Sequence, residues 1–316
     1  MFSFFVEWRN DPMTQSFNPS LHRFAIFTAA CTLLLLVAGA LVTSNDAGLS
    51  IPDWPLNYGG AVPPLVGGIR YEWTHRLIAS FVGMLTIVLA VRLSRRDPRP
   101  WVRRLGWSAL GLVIAQGVLG GLTVLFFQRQ PLSAIHATLA QLFFCTVVSL
   151  AVFASRWWQS DLPRHEDAGR PSLRSLVVWT FCVVLLQLIL GAAFRHKGIG
   201  IIPHLAGAAA VTVYIFWTIG AIRRRFPGVA PLARMAILLL TLLICQLVLG
   251  GAAWWSRIIA SDFPQPIPVM VAFTVIHTVL GAVVLAAALL TALFTYRLLT
   301  PARSWAPASA PQQVPR

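Results

Sequence analysis

Eight long apolar runs alternate with short polar links along the chain, at residues 22–43, 71–93, 103–126, 132–155, 173–194, 200–222, 231–255 and 268–297. Each run has about the 20 residues that a helix needs to cross the hydrocarbon of a bilayer. Proline or glycine punctuates most links, as at Pro98 and Pro100, Pro131, Pro163 and Pro171, Gly198 and Gly200, and Pro227 and Pro231. These residues end helices rather than continue them. The pattern predicts an all-α membrane protein of eight transmembrane helices. The first run is longer than the apolar core of about 7–15 residues in a secretory leader, so it is read as a retained span.

The runs are not independent of one another. The third, fifth and seventh share a motif: Gln116-Gly117-Val118-Leu119-Gly120-Gly121, Gln187-Leu188-Ile189-Leu190-Gly191-Ala192 and Gln246-Leu247-Val248-Leu249-Gly250-Gly251. The first carries a fainter echo, Leu36-Val37-Ala38-Gly39-Ala40. Each is followed by a link and then by a run with one histidine: His75, His136, His204 or His277. The repeating unit is therefore a hairpin. Two hairpins make a four-helix half, so the chain is expected to form two pseudo-symmetric four-helix bundles, 22–156 and 172–297, with tails 1–21 and 298–316. The small residues favour close helix packing, and they also leave room for a flat ligand. The glutamines suit interhelical hydrogen bonds or ligand contacts, and spacing alone does not separate the two.

Composition agrees with a membrane protein. Hydrophobic residues make up 57% of the chain and charged residues 11%, with a mean hydropathy of +0.72, where a soluble domain carries about 25% charge. The net charge of +15 does not point to nucleic acid, because the basic residues sit in short links and form no continuous face. They are concentrated in alternate links, such as Arg92, Arg95, Arg96, Arg99, Arg103 and Arg104, or Arg223, Arg224 and Arg225. The other links hold only Arg70, Arg129, Arg195, Lys197 and Arg257. The bias places both termini in the cytoplasm. Cys31, Cys145, Cys182 and Cys245 all fall inside apolar runs without a CxxC pair. They read as small core residues, not as a disulfide framework or a zinc site.

Ionisable groups within spans are functional candidates by default. His75, His136, His204 and His277 occupy one position each in runs that cross in the same direction, at a matched depth within about 5 Å. Two imidazoles from facing helices can hold one heme iron from its two sides. The repeat offers two such pairs, His75 with His136 and His204 with His277. Zinc is disfavoured, because no thiolate or carboxylate accompanies each pair. The halves differ at Glu72-Trp73-Thr74-His75-Arg76, for no other histidine stretch has an acid or an arginine. Glu72 shares a helix face with His75. It suits a helix N-terminus, simple solvation, or action on a bound substrate. The asymmetry suggests that one pair holds a substrate and the other a permanent electron-carrying cofactor. The link after the first run, Thr43 to Gly59, is long and rich in Pro, Gly, Trp and Asp, and it reads as an ordered cap. Trp54, Trp73, Trp254 and Trp255 suit an interfacial belt.

These features resemble the heme A synthase family of cytochrome oxidase assembly proteins. The resemblance rests on Gly48-Leu49-Ser50-Ile51-Pro52-Asp53-Trp54-Pro55-Leu56, on Glu72-x-x-His75-Arg76, and on His136, His204 and His277. It implies an oxidoreductase that converts a methyl group of heme O to the formyl group of heme A with water as oxygen source. It implies heme b as cofactor on His204 and His277, with substrate heme O near Glu72, His75 and His136. Arg76 is then expected to pair with Glu72 or with a heme propionate, and Glu72 to accept a proton or stabilise positive charge at the reacting carbon. The implied location is the cell (inner) membrane. The implied partners are heme O, lipid, heme O synthase, oxidase assembly factors and a second copy of the chain, with no nucleic acid. Some family members carry cysteine pairs in outer links, and this chain has none there. Two other classes compete. A non-catalytic di-heme cytochrome explains the histidines but not Glu72. A transporter with inverted repeats fits the helix number, but the two halves here run parallel.

Overall fold

A computed structural model describes residues 17–127, 130–259 and 262–302. Eight helices in it are long and apolar enough to cross a membrane: α1 (Pro19–Ser44), α2 (Ile69–Arg96), α3 (Pro100–Leu125), α4 (Gln130–Phe153), α5 (Leu173–Arg195), α6 (Ile201–Arg225), α7 (Ala230–Ile259) and α8 (Pro268–Leu298). The protein is a multi-pass, all-α membrane protein. The helices outrun the apolar runs mainly at the basic ends. α2 continues to Arg96 and α6 to Arg225, where cations complement the negative end of the helix dipole. The starts follow local chemistry. Asn18 caps α1 by accepting from Leu21 N at 3.0 Å, Ser172 caps α5 by accepting from Ser175 N at 3.1 Å, and prolines open α3 and α8. The tails expected at 1–21 and 298–316 lie mostly outside the described residues, as does Arg129.

Packing follows the hairpins. α1 packs on α2 and α4, and α3 bridges α2 and α4. In the same way α5 packs on α6 and α8, and α7 bridges α6 and α8. The two rings meet where α8 touches α1 and α4 and where α4 touches α5. Buried apolar side chains form two clusters, one around Val82, Leu89, Leu93, Trp101 and Val147 and the other around Leu176, Ile215, Leu239 and Leu285. Large apolar side chains such as Phe81, Met84, Trp107, Phe216, Ile237 and Val248 stay exposed on the outside, as contact with lipid requires. The cysteines depart from expectation. Only Cys145 is buried, while Cys182 and Cys245 lie on exposed faces, because a helix at the rim of a small bundle turns more of its surface to lipid than to the core.

Several link arginines tie backbone together. Arg99 pairs with Asp97 at 2.7 Å and donates to Phe153 O at 2.9 Å, with both members of the pair buried. Arg297 donates to Ser160 O at 2.6 Å and to Trp158 O at 3.2 Å. Beside it, β1 (His165–Asp167) and β2 (Leu299–Pro301) pair in parallel, joining the α4–α5 link to the end of α8.

Candidate functional site

Each histidine lies in the first three turns of its helix, on one side of the molecule. Opposite each ring stands a glycine of the preceding helix. A Cβ on Gly39 would lie 3.1 Å from His75 Cε1, on Gly120 3.4 Å from His136 Cε1, on Gly191 2.9 Å from His204 Cε1, and on Gly250 3.0 Å from His277 Cε1. The small residue of the repeat is thus a seat for an imidazole ring. The Gly39 echo in α1 is a full member of the set. The glutamines resolve as interhelical hydrogen bonds. Gln116 Nε2 donates to His136 O at 3.0 Å, Gln187 Nε2 to His204 O at 3.0 Å, and Gln246 Nε2 to His277 O at 3.2 Å. Leu35 takes that place in α1, so His75 has no such tie.

All four Nδ1 atoms are buried without a hydrogen bond, and none of the four Nε2 atoms is buried in this way. The rings are therefore wedged between helices with Nε2 left toward open space. His204 and His277 stand with ring centroids 6.4 Å apart and planes at 85°. Two imidazoles on opposite sides of one metal, each bonded at about 2.0–2.1 Å, have ring centres about 6 Å apart. The C-terminal pair therefore fits a heme iron held from both sides. His136 lies within the field of His75, but the two rings make no contact of the kind seen between His204 and His277. Among the described residues, no three His, Cys, Asp or Glu side chains converge on a point.

The N-terminal half carries a built cap. Glu72 is buried. Its Oε2 accepts from Ile51 N at 2.9 Å, and its Oε1 pairs with Arg76 Nη2 at 2.7 Å. Arg76 also donates to Ile51 O, Asp53 O, Leu56 O and Asn57 Oδ1 at 2.9–3.3 Å. One carboxylate and one guanidinium thus clamp residues 51–57 onto the first turns of α2, the helix that carries His75. Asp53 receives Tyr58 N and Gly59 N at 2.8 Å each, and these two amides, Gly59 first, hold its carboxyl below the ordinary range. Trp73 donates to Ala61 O at 3.0 Å. Trp54 lies against Gly121 of α3, where a Cβ would meet its ring at 2.5–2.8 Å. Trp54 and Trp73 are therefore parts of the cap as well as aromatic residues at the interface, while Trp254 and Trp255 remain exposed.

Three neighbours had no signal in the repeat. Phe194 stacks near His204 at 6.2 Å and 13°. Arg195 acts on His277. His196, in the α5–α6 link, is held neutral down to about 4 by burial, then by Arg195, then by His136. Their common place at the end of α5, where the two rings of helices meet, is a tertiary fact.

A family model described as cytochrome oxidase assembly protein matches residues 22–66 and 69–203. Similar proteins include the heme A synthase of Shouchella clausii (strain KSM-K16), 31% identical over 185 residues, covering 57% of this chain and 60% of that one. Another is the heme A synthase of Symbiobacterium thermophilum (strain DSM 24528 / JCM 14929 / IAM 14863 / T), 29% identical over 188 residues, 57% and 60%. A third, from Lysinibacillus sphaericus (strain C3-41), is 29% identical over 186 residues, 57% and 59%. The chain spans about three fifths of the length of these curated relatives. His75, His136 and the clamp fall inside the matched region. His204 and His277 lie beyond it and rest on the internal repeat.

Proposed function

Because this chain belongs to the cytochrome oxidase assembly protein family, we propose that it is a heme A synthase, oxidising a methyl group of heme O to the formyl group of heme A. The observation that carries the reading is the asymmetry between two equivalent histidine pairs. One pair stands at a separation that suits a permanently held iron. The other lacks that ring contact and adjoins a clamped cap with a buried carboxylate. In this reading the rings α1–α4 and α5–α8 are the substrate half and the cofactor half. His204 and His277 hold heme b, and His75 and His136 receive heme O. The Lys/Arg bias puts both termini in the cytoplasm, so the histidine layer lies toward the outer face of the cell membrane. Heme O synthase and oxidase assembly factors are the corresponding partners.

The conversion adds one water and releases four protons and four electrons, in two rounds through an alcohol and a gem-diol that loses water. Heme b, when bound, supplies one-electron transfer away from the substrate half. The chain supplies position and charge. Gly39 and Gly120 seat the two imidazoles that orient the substrate. The cap limits water near His75. Both oxygens of Glu72 already accept hydrogen bonds, one of them from Arg76, and this favours a fixed anion over a proton acceptor. Its charge stabilises the positive charge that develops on a methyl carbon conjugated with the macrocycle. Arg76 positions Glu72 and the cap.

Pigment analysis of the purified full-length protein tests the reading. One tightly held heme b together with heme O, heme A or an intermediate is expected. Heme b at both sites would select the electron-carrying cytochrome instead. Glu72→Gln is expected to slow conversion roughly 100-fold while heme b stays bound; full conversion by this variant removes Glu72 from the chemistry.

A further inference from the structure

A cation near the C-terminal histidine pair has no carboxylate in direct contact among the described residues. Arg195 closes α5 and is half-buried. Its single hydrogen bond runs from Nη2 to Ser44 Oγ at 2.7 Å, across to the end of α1. Among the described residues the ion pairs include Arg76–Glu72 and Arg99–Asp97, and Arg195 has no carboxylate in direct contact, although Asp46 lies within its field. Arg257, near the end of α7, is a second cation within the field of Arg195. A half-buried guanidinium with most of its donors unused, beside a second cation, is poised to receive an anion.

The surroundings indicate which anion. Of the four ring histidines, His277 senses Arg195. Phe194, the residue before Arg195, lies parallel to the His204 ring at 6.2 Å. The last turn of α5 thus faces the His204–His277 pair with an aromatic wall and a charge. Arg195 ends α5 and Arg257 lies near the end of α7, the helices that lead into those of His204 and His277, so a macrocycle held by that pair would have both cations at the same end of its site. We infer that Arg195, assisted by Arg257, binds the propionate carboxylates of the heme held by His204 and His277. Arginine suits this task because its planar donors match a carboxylate. The inference rests on the proposed C-terminal heme site. It adds an anion subsite on helices that carry neither histidine.

Full-length protein in detergent tests it. The first measurement is the absorbance of the wild type. A missing low-spin, two-histidine heme spectrum overturns the heme-site reading itself, and this inference with it. With that spectrum in place, Arg195→Gln is expected to keep it. The variant should release heme b to excess apomyoglobin about tenfold faster, the loss of one charge-assisted hydrogen bond. Its midpoint potential should fall, since a lost cation favours the oxidised iron. Arg195→Lys should recover part of both effects, and Arg257→Gln should show a smaller change in the same direction. Wild-type protein loaded with heme b dimethyl ester should release it as fast as Arg195→Gln releases heme b. Unchanged release and potential in Arg195→Gln overturn the subsite. So does equal retention of the ester and the free acid, with an Arg195→Gln effect seen only when anionic lipid is present, because the partner is then a lipid phosphate. If Arg195→Gln does not accumulate, Ser44→Ala frees the same guanidinium from its one tether. Release about twofold faster is then expected, and wild-type release overturns the proposal.

Discussion

At the scale of single residues, the site depends on missing atoms. An imidazole between two helices needs the facing backbone close by, and only glycine gives that room. The allowance differs among the four seats, from 2.9 Å for a Cβ on Gly191 to 3.4 Å for one on Gly120. The first separation is below any ordinary carbon contact, and the second is tight but tolerable. Gly191→Ala should therefore push the His204 ring aside, at about 1–3 kcal/mol for overpacking, with loss of the low-spin heme spectrum and a lower thermal midpoint. Gly120→Ala should be milder on both readings. Equal, negligible effects from the two variants would show that the rings have slack. The glutamines act on His136, His204 and His277 from the preceding helix. They take the spare lone pair of each histidine's backbone carbonyl and fix the height of the helix, an interaction worth about 0.6 kcal/mol within a membrane.

Among the elements, the link between α1 and α2 is the one with internal architecture. It is held from below by Glu72 and Arg76 and from within by Asp53, whose carboxylate receives two consecutive amides. Both arrangements need ionised carboxylates. The Asp53 carboxyl is depressed in the folded chain, so its contribution is complete above the ordinary aspartate value of about 3.9 and is lost as pH falls through the lower folded value. Hydrogen exchange at the Tyr58 and Gly59 amides should stay slow through the neutral range and accelerate only in strong acid. In Asp53→Asn it should be fast throughout. Protection in that variant matching wild type would mean that the turn holds without the charge.

For the whole molecule, what matters is how the two rings of helices are joined. They meet through α8 against α1 and α4, through α4 against α5, and through the Arg195–Ser44 bond. His196 stands at the same junction, on the link of the C-terminal ring yet within the field of His136. It is held neutral down to about 4, whereas in the unfolded chain it takes a proton below about 6.5. Unfolded chains bind the extra proton between these values, so stability is retained above about 6.5 and declines as pH falls toward 4. Thermal unfolding in detergent across that range should show a steeper decline for wild type than for His196→Gln. Parallel curves would mean that the ring is solvated.

The sequence by itself determined the membrane class, the eight spans and the four-fold Gly–His register, with a glutamine in three of the four units. These are properties of local composition and period, and every turn of a span repeats the same demand for apolar surface. It also carried the candidates Glu72, His75, Arg76, His136, His204 and His277, because a polar group in an apolar run stands out wherever it packs. Only the tertiary structure decided what these residues face. Gly39 counts equally with its three counterparts because of the ring across from it, although its motif is faint. Glu72 joins a clamp because Ile51 folds back over 21 residues to meet it. Cys182 and Cys245 face outward although they sit in runs as apolar as that of Cys145. Phe194, Arg195 and His196 gain their neighbours from the way two bundles abut. Periodicity is written along one chain direction, whereas such proximity arises between segments whose relative placement is set by packing summed over all the helices.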